Sequence, residues 1–526
     1  MFVVSRVAGV WARRRLAAMR RMATSPEAAQ GALLKRFVRA GARTEFGTLH
    51  GFRRIRSVAD FRRHVPLSDY ARMARWWDRE RRGETDLTWP GRTRTFGLSS
   101  GTTSGEKYLP LTAATLRTNR KGALDALVPH LADGGTDIFD GKLLFLGGAT
   151  ALREEGGVQI GDHTGILSQR MPRFVRRLHT PSAEVAAIPS WDAKLPRAAA
   201  EALDADVRLL GGIPSWLLLF ADQVLAQAKA AGRPHETLVD LWPNLSVVVH
   251  GGTSFAPYAE RMRQVLGVRT DGRPIRLIET YSATEGGMLG IEDVPGAMLP
   301  VLDRSAYLEL VPTGDVADAA PRRLGLGDAE PGVDYALALT TNAGQWAYLV
   351  GDIVRFEPGL PRRLVFAGRL AQMMNGFGEH VSVGEIDRAV HRAATELELR
   401  THEHAVGALY PREGDAHGRH VWYVEIEGPV PPDLERMATV VDRSVAGGNE
   451  DYSAHRAGGQ GLGLPEIVPL PPGTFFEWMR EEGRLGGQNK VPRVLAPTRH
   501  EAFRAWLAAR HLHEPATRVA ARSLHA

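Results

Sequence analysis

The sequence predicts an α/β protein with two domains: a large N-terminal domain of β-sheets flanked by helices, and a smaller α+β C-terminal domain. Three observations support this prediction. Segments typical of strands alternate with helical ones through most of the chain. The 526 residues are too many for a single hydrophobic core. The character of the sequence also changes after residue 369, which indicates a second folding unit.

Four short apolar segments are predicted to be buried strands. They are KLLFLGG (residues 142–148), LSVVVHGG (245–252), PIRLIETYS (274–282) and DYALALTT (334–341). Glycine or hydroxyl residues follow these segments, so the next loops should gather at one edge of a sheet, where open α/β sheets bind ligands. Helices are predicted for TAATLRTNRKGALDALVPHLA (112–132) and AERMRQVLG (259–267).

The longest apolar stretch, LLGGIPSWLLLFA (209–221), is shorter than the about 18 residues that a membrane span needs. Because it contains Gly-Gly and Pro, it is predicted to be a buried turn that leads into a core helix. No transmembrane segment is expected, and a cytoplasmic location is predicted.

The C-terminal domain is predicted to begin after LVFAGR (364–369). It has strand-like segments of its own, such as HVWYVEIEG (420–428), and a Gly/Pro-rich region at 458–473. We therefore expect domains at residues 1–368 and 369–526, with a hinge at 369–372.

Composition excludes several classes of function. The chain has no cysteine, so disulfides, thiolate metal sites and a cysteine nucleophile are excluded. The net charge of +6 comes from scattered arginines without a basic block, which gives no indication of nucleic-acid binding. Only seven of the 66 basic side chains are lysines, so a lysine within a glycine-rich loop suggests a chemical role.

The N-terminal segment is rich in arginine and has no acidic residue before Glu27. It lacks the uninterrupted apolar core of a secretory signal. A solvated amphipathic helix is predicted, while a transit peptide and a membrane-surface helix remain open alternatives.

A glycine- and hydroxyl-rich loop lies between two segments that are predicted to be extended. Its residues are Ser99, Ser100, Gly101, Thr102, Thr103, Ser104, Gly105, Glu106 and Lys107. The spacing differs from that of a Walker A loop, and Tyr108 stands where that loop has its Mg²⁺-binding Ser or Thr. A β-loop-β segment can still wrap a phosphate with backbone N–H groups and hydroxyls. A hairpin loop without a ligand is the alternative.

Three further motifs carry groups suited to nucleotide chemistry. Glu285 of TYSATEGG (280–287) could ligate Mg²⁺, or could be a turn residue that faces water. Asp352 of WAYLVGDIVRF (346–356) could accept hydrogen bonds from both ribose hydroxyls, or could form an Asx turn. Lys490 of GRLGGQNKVPR (483–493) is the only lysine after residue 229, and could be an ordinary solvated side chain.

These motifs, in this order, resemble those of the adenylate-forming superfamily of acyl-CoA synthetases, peptide-synthetase adenylation domains and luciferases. The chain resembles more closely the plant auxin- and jasmonate-conjugating acyl acid amido synthetases and their bacterial relatives. The segments that carry this resemblance span about residues 40–495: ARTEFGTLHGF, DFRRHVPLSDY, SSGTTSGEKYLP, LLGGIPSWLL, LWPNLSVVVHGG, ETYSATEGG, LTTNAGQWAYLVGDIVRF, GRLAQMMNGFGEHVSVGEI and GGQNKVPR.

The resemblance implies an ATP- and Mg²⁺-dependent ligase. Such an enzyme converts a carboxylic acid into acyl-AMP, releases pyrophosphate, and passes the acyl group to an amine such as an amino acid. It also implies a mobile small domain that rotates between the two half-reactions. Two alternatives remain open: transfer of the acyl group to coenzyme A or another thiol, and an inactive nucleotide-binding relative. The oligomeric state is left open.

The resemblance also implies roles for individual residues. Catalysis would involve Lys490, Glu285 and Lys107, with Glu285 holding Mg²⁺. ATP would be bound at the phosphates by Ser99–Lys107 and Thr284, at the adenine by Gly251, Gly252, Thr253 and Tyr281 with Ser282 beside it, and at the ribose by Asp352 and Arg369. The acyl pocket is expected beside residues 114–127, GIPSWLL and Tyr281, which favours a hydrophobic or aryl acid, although core packing would explain the same residues.

Three positions stand apart from the expected pattern. Ala347 replaces an arginine that is common in the family, which suggests a missing contact near the substrates. Gly287 replaces an aromatic residue that is frequent in bacterial relatives, which suggests a wider acyl or amine side. His250 could act as a base, but a hydrogen-bonded histidine at a strand end is the expected interpretation.

Overall fold

The computed structural model describes residues 2–101, 105–148, 150–171, 173–253, 255, 258–316, 318–370, 373–374, 376–377, 379, 381–410, 418–457, 462–485 and 489–512. The chain divides into a large unit, Met1–Ala371 with Gly486–Asn489, and a small unit made of Gln372–Leu485 and Lys490–Ala526. Of the residues predicted to form the hinge, 371 and 372 lie outside the described part of the chain.

The strands of the large unit form two sheets. They are β1 (Thr95–Gly101), β2 (Gly105–Pro110), β3 (Lys142–Phe145), β4 (Arg153–Glu155), β5 (Val158–Asp162), β6 (His179–Thr180), β7 (Val207–Gly212), β8 (Val247–Gly251), β9 (Arg276–Ala283), β10 (Gly287–Val294), β11 (Ala297–Pro300), β12 (Ala306–Pro312), β13 (Asp334–Thr341), β14 (Tyr348–Phe356) and β15 (Leu364–Arg369). A four-stranded sheet has the order β2-β1-β5-β4. An eleven-stranded sheet has the order β12-β13-β14-β15-β11-β10-β9-β8-β7-β3-β6.

The helices of the large unit cover these sheets. They are α1 (Phe2–Thr24), α2 (Pro26–Gly41), α3 (Glu45–Leu49), α4 (Val58–His64), α5 (Tyr70–Arg81), α6 (Ala113–Asp125), α7 (Val128–Ala132), α8 (His163–Gln169), α9 (Arg173–Arg176), α10 (Ala183–Ala186), α11 (Trp191–Ala202), α12 (Pro214–Ala230), α13 (Leu238–Leu241) and α14 (Ala259–Leu266). Within the described residues, no helix combines the length and apolar composition that crossing a bilayer requires.

Most elements predicted from the sequence are confirmed. The four predicted strands are β3, β8, β9 and β13, and the apolar stretch at 209–221 is the end of β7 followed by α12. The predicted helix over 112–132 is instead two helices, because Pro129 lies in the first turn of α7, where its missing N–H does not interrupt hydrogen bonding. Thr112 caps the N-terminus of α6, because its Oγ1 accepts a hydrogen bond from the Thr115 N–H.

The predicted amphipathic N-terminal helix is confirmed as α1, but its inner face is part of the core rather than solvated. Ala12, Leu16 and Met19 belong to a buried apolar cluster with side chains of α7 and β11. Arg15 lies on the same side, and its guanidinium forms ion pairs of 2.7 Å with Asp125 and with Asp303. These two carboxylates allow a basic residue to lie in a helix face that is otherwise apolar.

The small unit is built around one four-stranded sheet of order β18-β17-β16-β19. Its strands and helices are α15 (Val383–Glu396), β16 (Thr401–Leu409), β17 (Arg419–Ile426), α16 (Leu434–Ala446), α17 (Glu450–Ala457), β18 (Glu466–Leu470), α18 (Thr474–Glu481), β19 (Val494–Leu495) and α19 (Pro497–Ala509). Strand β17 is the predicted strand HVWYVEIEG. Strand β19 pairs in parallel with β16 and so fixes the chain that follows GGQNKVPR.

Candidate active site

The carboxyl ends of β8 and β9 approach each other closely. The two strands are parallel, and Gly251 lies opposite Thr280. A Cβ atom on Gly251 would lie 2.2 Å from the Thr280 carbonyl oxygen, so only glycine fits at this position. Gly252 follows with a φ of +86°, and the half-buried Thr253 continues the turn. Of the three residues expected near adenine, Gly251 and Gly252 thus occupy positions that favour glycine.

The glycine- and hydroxyl-rich segment forms the predicted β-loop-β hairpin. Strands β1 and β2 are antiparallel, with Ser99 opposite Lys107, Ser100 opposite Glu106 and Gly101 opposite Gly105. Thr102, Thr103 and Ser104, which were predicted to bind phosphate, lie outside the described residues.

Two contacts fix the position of this hairpin. The Lys107 ammonium lies 5.5 Å from the centre of the Tyr70 ring, a distance typical of a cation–π contact. A Cβ atom on Gly97 would lie 2.8 Å from the Thr284 methyl group, so β1 packs directly against the turn after β9. The phosphate-loop motif and the TYSATEGG motif are therefore neighbours.

Glu285 is buried in the turn between β9 and β10, with 7% of its surface exposed. The alternative of a turn glutamate that faces water is therefore wrong. Burial raises the pKa of Glu285, and the nearby Asp352 carboxylate raises it further, whereas Arg369 and Lys107 lower it. The charges of these predicted site residues thus act on one another in the folded protein.

One buried carboxylate fits an ion that takes its other ligands from elsewhere. Among the described residues, no group of three or more His, Asp and Glu side chains could hold a metal unaided. Mg²⁺ is commonly bound by one or two carboxylates, with substrate phosphates and water completing its shell. Glu285 suits that mode of binding, in which the ion arrives with the nucleotide.

Tyr281, Asp352 and Arg369 form a connected polar group. The Tyr281 hydroxyl donates a 2.8 Å hydrogen bond to Asp352 Oδ2, and Arg369 Nε lies 2.9 Å from Asp352 Oδ1. Asp352 and Arg369 are also opposite each other on β14 and β15. Burial, followed by the Asp352 charge, raises the pKa of Tyr281, which keeps its hydroxyl protonated. The structure thus brings the predicted ribose pair together. Asp352 lies within a strand and does not form an Asx turn.

Neither proposed interpretation of His250 matches its surroundings. The imidazole is 1% exposed and stacks on Phe255 with ring centres 3.9 Å apart. Neither ring nitrogen has a hydrogen-bond partner in the described part of the chain, so the expectation of a hydrogen-bonded histidine is wrong. Burial lowers the pKa of His250 to about 4, which leaves the ring neutral and weakly basic at pH 7.

Sequence reasoning did not single out Glu279, a half-buried acidic residue on β9 near the predicted adenine-binding turn. It lies opposite His250 on the neighbouring strand, and its backbone N–H donates to Glu292 Oε2 at 2.6 Å. Burial, with a smaller effect of the Glu292 charge, raises the pKa of Glu279 to about 7. An acidic residue inside the apolar segment PIRLIETYS is the sequence signal that could have identified it.

The expectation that Gly287 widens the site is wrong. Gly287 has a φ of +68°, and a Cβ atom there would lie 2.1 Å from Asn119 Oδ1. Asn119 projects from α6 and its side-chain amide contacts His163 Nε2 at 2.9 Å. The space that a larger residue would need is therefore filled by Asn119, a buried polar side chain that the sequence did not indicate.

The three remaining predicted positions, Ala347, Lys490 and Ser282, lie in different surroundings. Ala347 is fully buried in an aromatic and aliphatic cluster with Trp346 and Tyr348, and its carbonyl accepts a hydrogen bond from the Ser68 N–H. Lys490 belongs to the small unit and precedes β19 by four residues. Ser282 is exposed on β9.

The fold is that of adenylate-forming enzymes. The structure matches that of "GH3.15 acyl acid amido synthetase" with a TM-score of 0.75 at 19% sequence identity, over 94% of this chain and 95% of the other. It matches 2-hydroxyisobutyryl-CoA ligase in the postadenylation state with a TM-score of 0.57 at 14% identity, over 91% of each chain. At these identities the likeness concerns the fold, and it confirms the predicted α/β architecture.

The family is shown by the sequence itself. The GH3 family N-terminal domain matches residues 15–203, the central domain residues 299–369, and the C-terminal domain residues 384–499. The chain belongs to the GH3 family, as its motifs predicted.

A curated relative, "probable indole-3-acetic acid-amido synthetase GH3.9" of Oryza sativa subsp. japonica, is 28% identical over 279 residues. This match covers 48% of this chain and 61% of that protein. "Indole-3-acetic acid-amido synthetase GH3.3" of Arabidopsis thaliana is 27% identical over 278 residues, 50% of this chain and 45% of that protein. The chain thus spans about half the length of the curated relatives it matches.

Proposed function

We propose that this protein is an ATP-dependent acyl acid amido synthetase. It activates a carboxylic acid as acyl-AMP with release of pyrophosphate, and then transfers the acyl group to an amine such as an amino acid. The observation that carries this proposal is the contact between the glycine-rich hairpin and the buried TYSATEGG turn, in a chain of the GH3 family. This contact supports the proposal because it joins the hairpin proposed to bind phosphate to the turn that carries Glu285, the proposed Mg²⁺ ligand.

In the first half-reaction, a carboxylate oxygen attacks the α-phosphorus of ATP and the bond to the pyrophosphate oxygen breaks. Both reactants are anions, so catalysis requires charge neutralisation and positioning. Lys107 supplies positive charge at the hairpin, and Glu285 holds Mg²⁺, which when bound neutralises phosphate charge. Lys490 acts on the α-phosphate and the attacking carboxylate.

The nucleoside is held by groups that the protein has already fixed. The Tyr281 hydroxyl and the Arg369 guanidinium orient the Asp352 carboxylate, which accepts hydrogen bonds from the ribose hydroxyls. The backbone at Gly251, Gly252 and Thr253 borders the adenine. Because these groups need little rearrangement, the entropy lost on binding is reduced.

In the second half-reaction, the amine nitrogen attacks the acyl carbonyl carbon, the bond to AMP breaks, and the nitrogen loses a proton. No nucleophilic side chain is required, which agrees with a chain that lacks cysteine. The acid is proposed to have an apolar or aryl body, because the segment GIPSWLL and the Tyr281 ring are the expected lining of the acyl pocket.

Pyrophosphate release across a panel of apolar and aryl carboxylic acids tests this proposal. Each acid is assayed alone, with a mixture of amino acids, and with coenzyme A, and products are identified by mass spectrometry. We expect acid-dependent release that rises with an amino acid and yields an amide. A thioester formed in preference to the amide would show that the acceptor is a thiol rather than an amine. ATP binding without pyrophosphate release for any acid would favour an inactive relative.

The Lys490→Ala variant tests whether Lys490 acts in the chemical step rather than in ATP binding. It should abolish acid-dependent pyrophosphate release and leave the Kd for ATP almost unchanged, because the lysine is proposed to act on the reacting atoms. Lys229→Ala, which removes an exposed lysine of the large unit, is the matched control. Weakened ATP binding with intact turnover in Lys490→Ala would contradict the assignment.

A further inference from the structure

A buried cluster of charged side chains lies next to the proposed catalytic lysine, within the small unit. Arg493 is 4% exposed, and it stands three residues after Lys490. Its Nη1 lies 2.6 Å from Glu403 Oε2, and its Nε lies 3.1 Å from Asp387 Oδ1. Nη1 also donates to the His404 carbonyl oxygen at 3.1 Å.

The cluster joins three elements of the small unit. Asp387 lies on α15, Glu403 and His404 lie on β16, and Arg493 directly precedes β19. His404 Nε2 contacts Asp387 Oδ1 at 2.7 Å, so the carboxylate is itself held in place. The backbone is fixed at the same point, because the Val406 N–H donates to the Arg493 carbonyl oxygen at 2.8 Å.

The chain between Lys490 and this anchor has little freedom. Only Val491 and Pro492 intervene. Val491 is buried in an apolar cluster with Leu495 and Phe503, and proline fixes its own φ. The position of the Lys490 backbone on the small unit is therefore set from its C-terminal side by Arg493.

Stability alone is a weak reason for such a cluster. Well-packed apolar residues often stabilise a fold as well as a buried ion pair does, because removing charges from water carries a large desolvation penalty. An arginine also orients its neighbours, because its planar guanidinium group fixes the directions of hydrogen bonds to two or more partners.

We propose that Arg493 is a positioning residue for Lys490, through the buried contacts with Asp387 and Glu403 that fix the start of β19. This inference rests on the proposed function of Lys490. It assigns to Arg493 no contact with substrate. Its effect should therefore be confined to the half-reaction in which the lysine acts.

The Arg493→Lys variant of the 526-residue chain tests this inference, because it keeps the positive charge and removes the planar guanidinium group. Two assays separate the half-reactions: acid-dependent exchange of labelled pyrophosphate into ATP, and amide formation from a supplied acyl-AMP. Arg456→Lys is the matched control. Arg456 forms a two-point contact with Asp442 on α16, a helix of the small unit that holds none of the Arg493 partners named above.

We expect Arg493→Lys to lower kcat for exchange by at least about tenfold, with the KM for ATP and the rate of amide formation from acyl-AMP within about twofold of wild type. Arg456→Lys should leave the ratio of the two rates unchanged. If Arg493→Lys does not fold, Glu403→Gln, which retains an acceptor oxygen, should show the same selective loss.

Several outcomes would overturn the inference. A parallel fall of both half-reactions with the melting temperature would show a structural role only. Full exchange activity in a folded Arg493→Lys protein, with Lys490→Ala inactive in the same assay, would refute the positioning role and leave the proposed function intact. Absence of exchange in the wild type with every acid tested would remove both proposals.

Discussion

The most quantitative prediction concerns Glu279, whose half-buried carboxyl group lies on β9 near the predicted adenine-binding turn. Burial raises its pKa from an ordinary value of 4.5 to about 7. A carboxyl group with a higher pKa in the folded chain stays protonated up to a higher pH than it does in the unfolded chain. Its burial therefore lowers the stability of the fold progressively as the pH rises from about 4.5 to about 7.

The size of this effect follows from the two pKa values. At about 1.4 kcal/mol for each pH unit between them, ionised Glu279 lowers the free energy of unfolding by about 3 kcal/mol above neutral pH. Glutamine has nearly the same shape and does not ionise. We therefore expect Glu279→Gln to be similar to wild type near pH 4.5 and more stable by up to about 3 kcal/mol near pH 8.

Urea unfolding of both proteins between about pH 5 and pH 8, with pulsed hydrogen–deuterium labelling of peptides from β8 and β9, measures this difference for the large unit. Glu236→Gln, which changes an exposed glutamate of the same unit, should show no such pH dependence. A stability difference between Glu279→Gln and wild type that is constant with pH would refute the reasoning.

Two further predictions concern the geometry of the nucleotide site. Gly251→Ala places a Cβ atom 2.2 Å from the Thr280 carbonyl oxygen. It should lower the free energy of unfolding by about 1–3 kcal/mol and weaken ATP binding, whereas Gly314→Ala, where no atom lies near, should do neither. Tyr281→Phe removes a donor from the buried Asp352 carboxylate, and should lower stability by about 1–3 kcal/mol and raise the Kd for ATP by calorimetry. Unchanged melting temperature and Kd in either variant would contradict the corresponding contact.

Local patterns made much of the fold predictable from the sequence. The strands β3, β8, β9 and β13 are continuous apolar segments followed by glycine or hydroxyl residues, which is the pattern of buried strands in α/β proteins. The hairpin β1–β2 followed from extended segments on both sides of a glycine-rich loop. Pro129 lies at the start of α7 and could have indicated the break after α6. Because the helical periodicity continues on both sides of it, the sequence predicted a single helix.

The site was less predictable because its polar contacts join distant parts of the chain. Tyr281 and Asp352 are 71 residues apart, and Asn119 and His163 are 44 apart. Nothing near Gly287 in sequence indicates that Asn119 fills the space beside it, which is why a wider site was expected there. Burial of Glu279 and His250 likewise depends on which strands become neighbours in the sheet.

The central claim is that a carboxylate attacks the α-phosphorus of ATP, and an isotope experiment tests it directly. An active acid labelled with ¹⁸O in its carboxyl group is turned over with ATP and the accepting amine, and the products are analysed by mass spectrometry. The account predicts that one ¹⁸O atom appears in AMP and none in pyrophosphate. Label in inorganic phosphate, with ADP as the nucleotide product, would show attack at the γ-phosphate and contradict it.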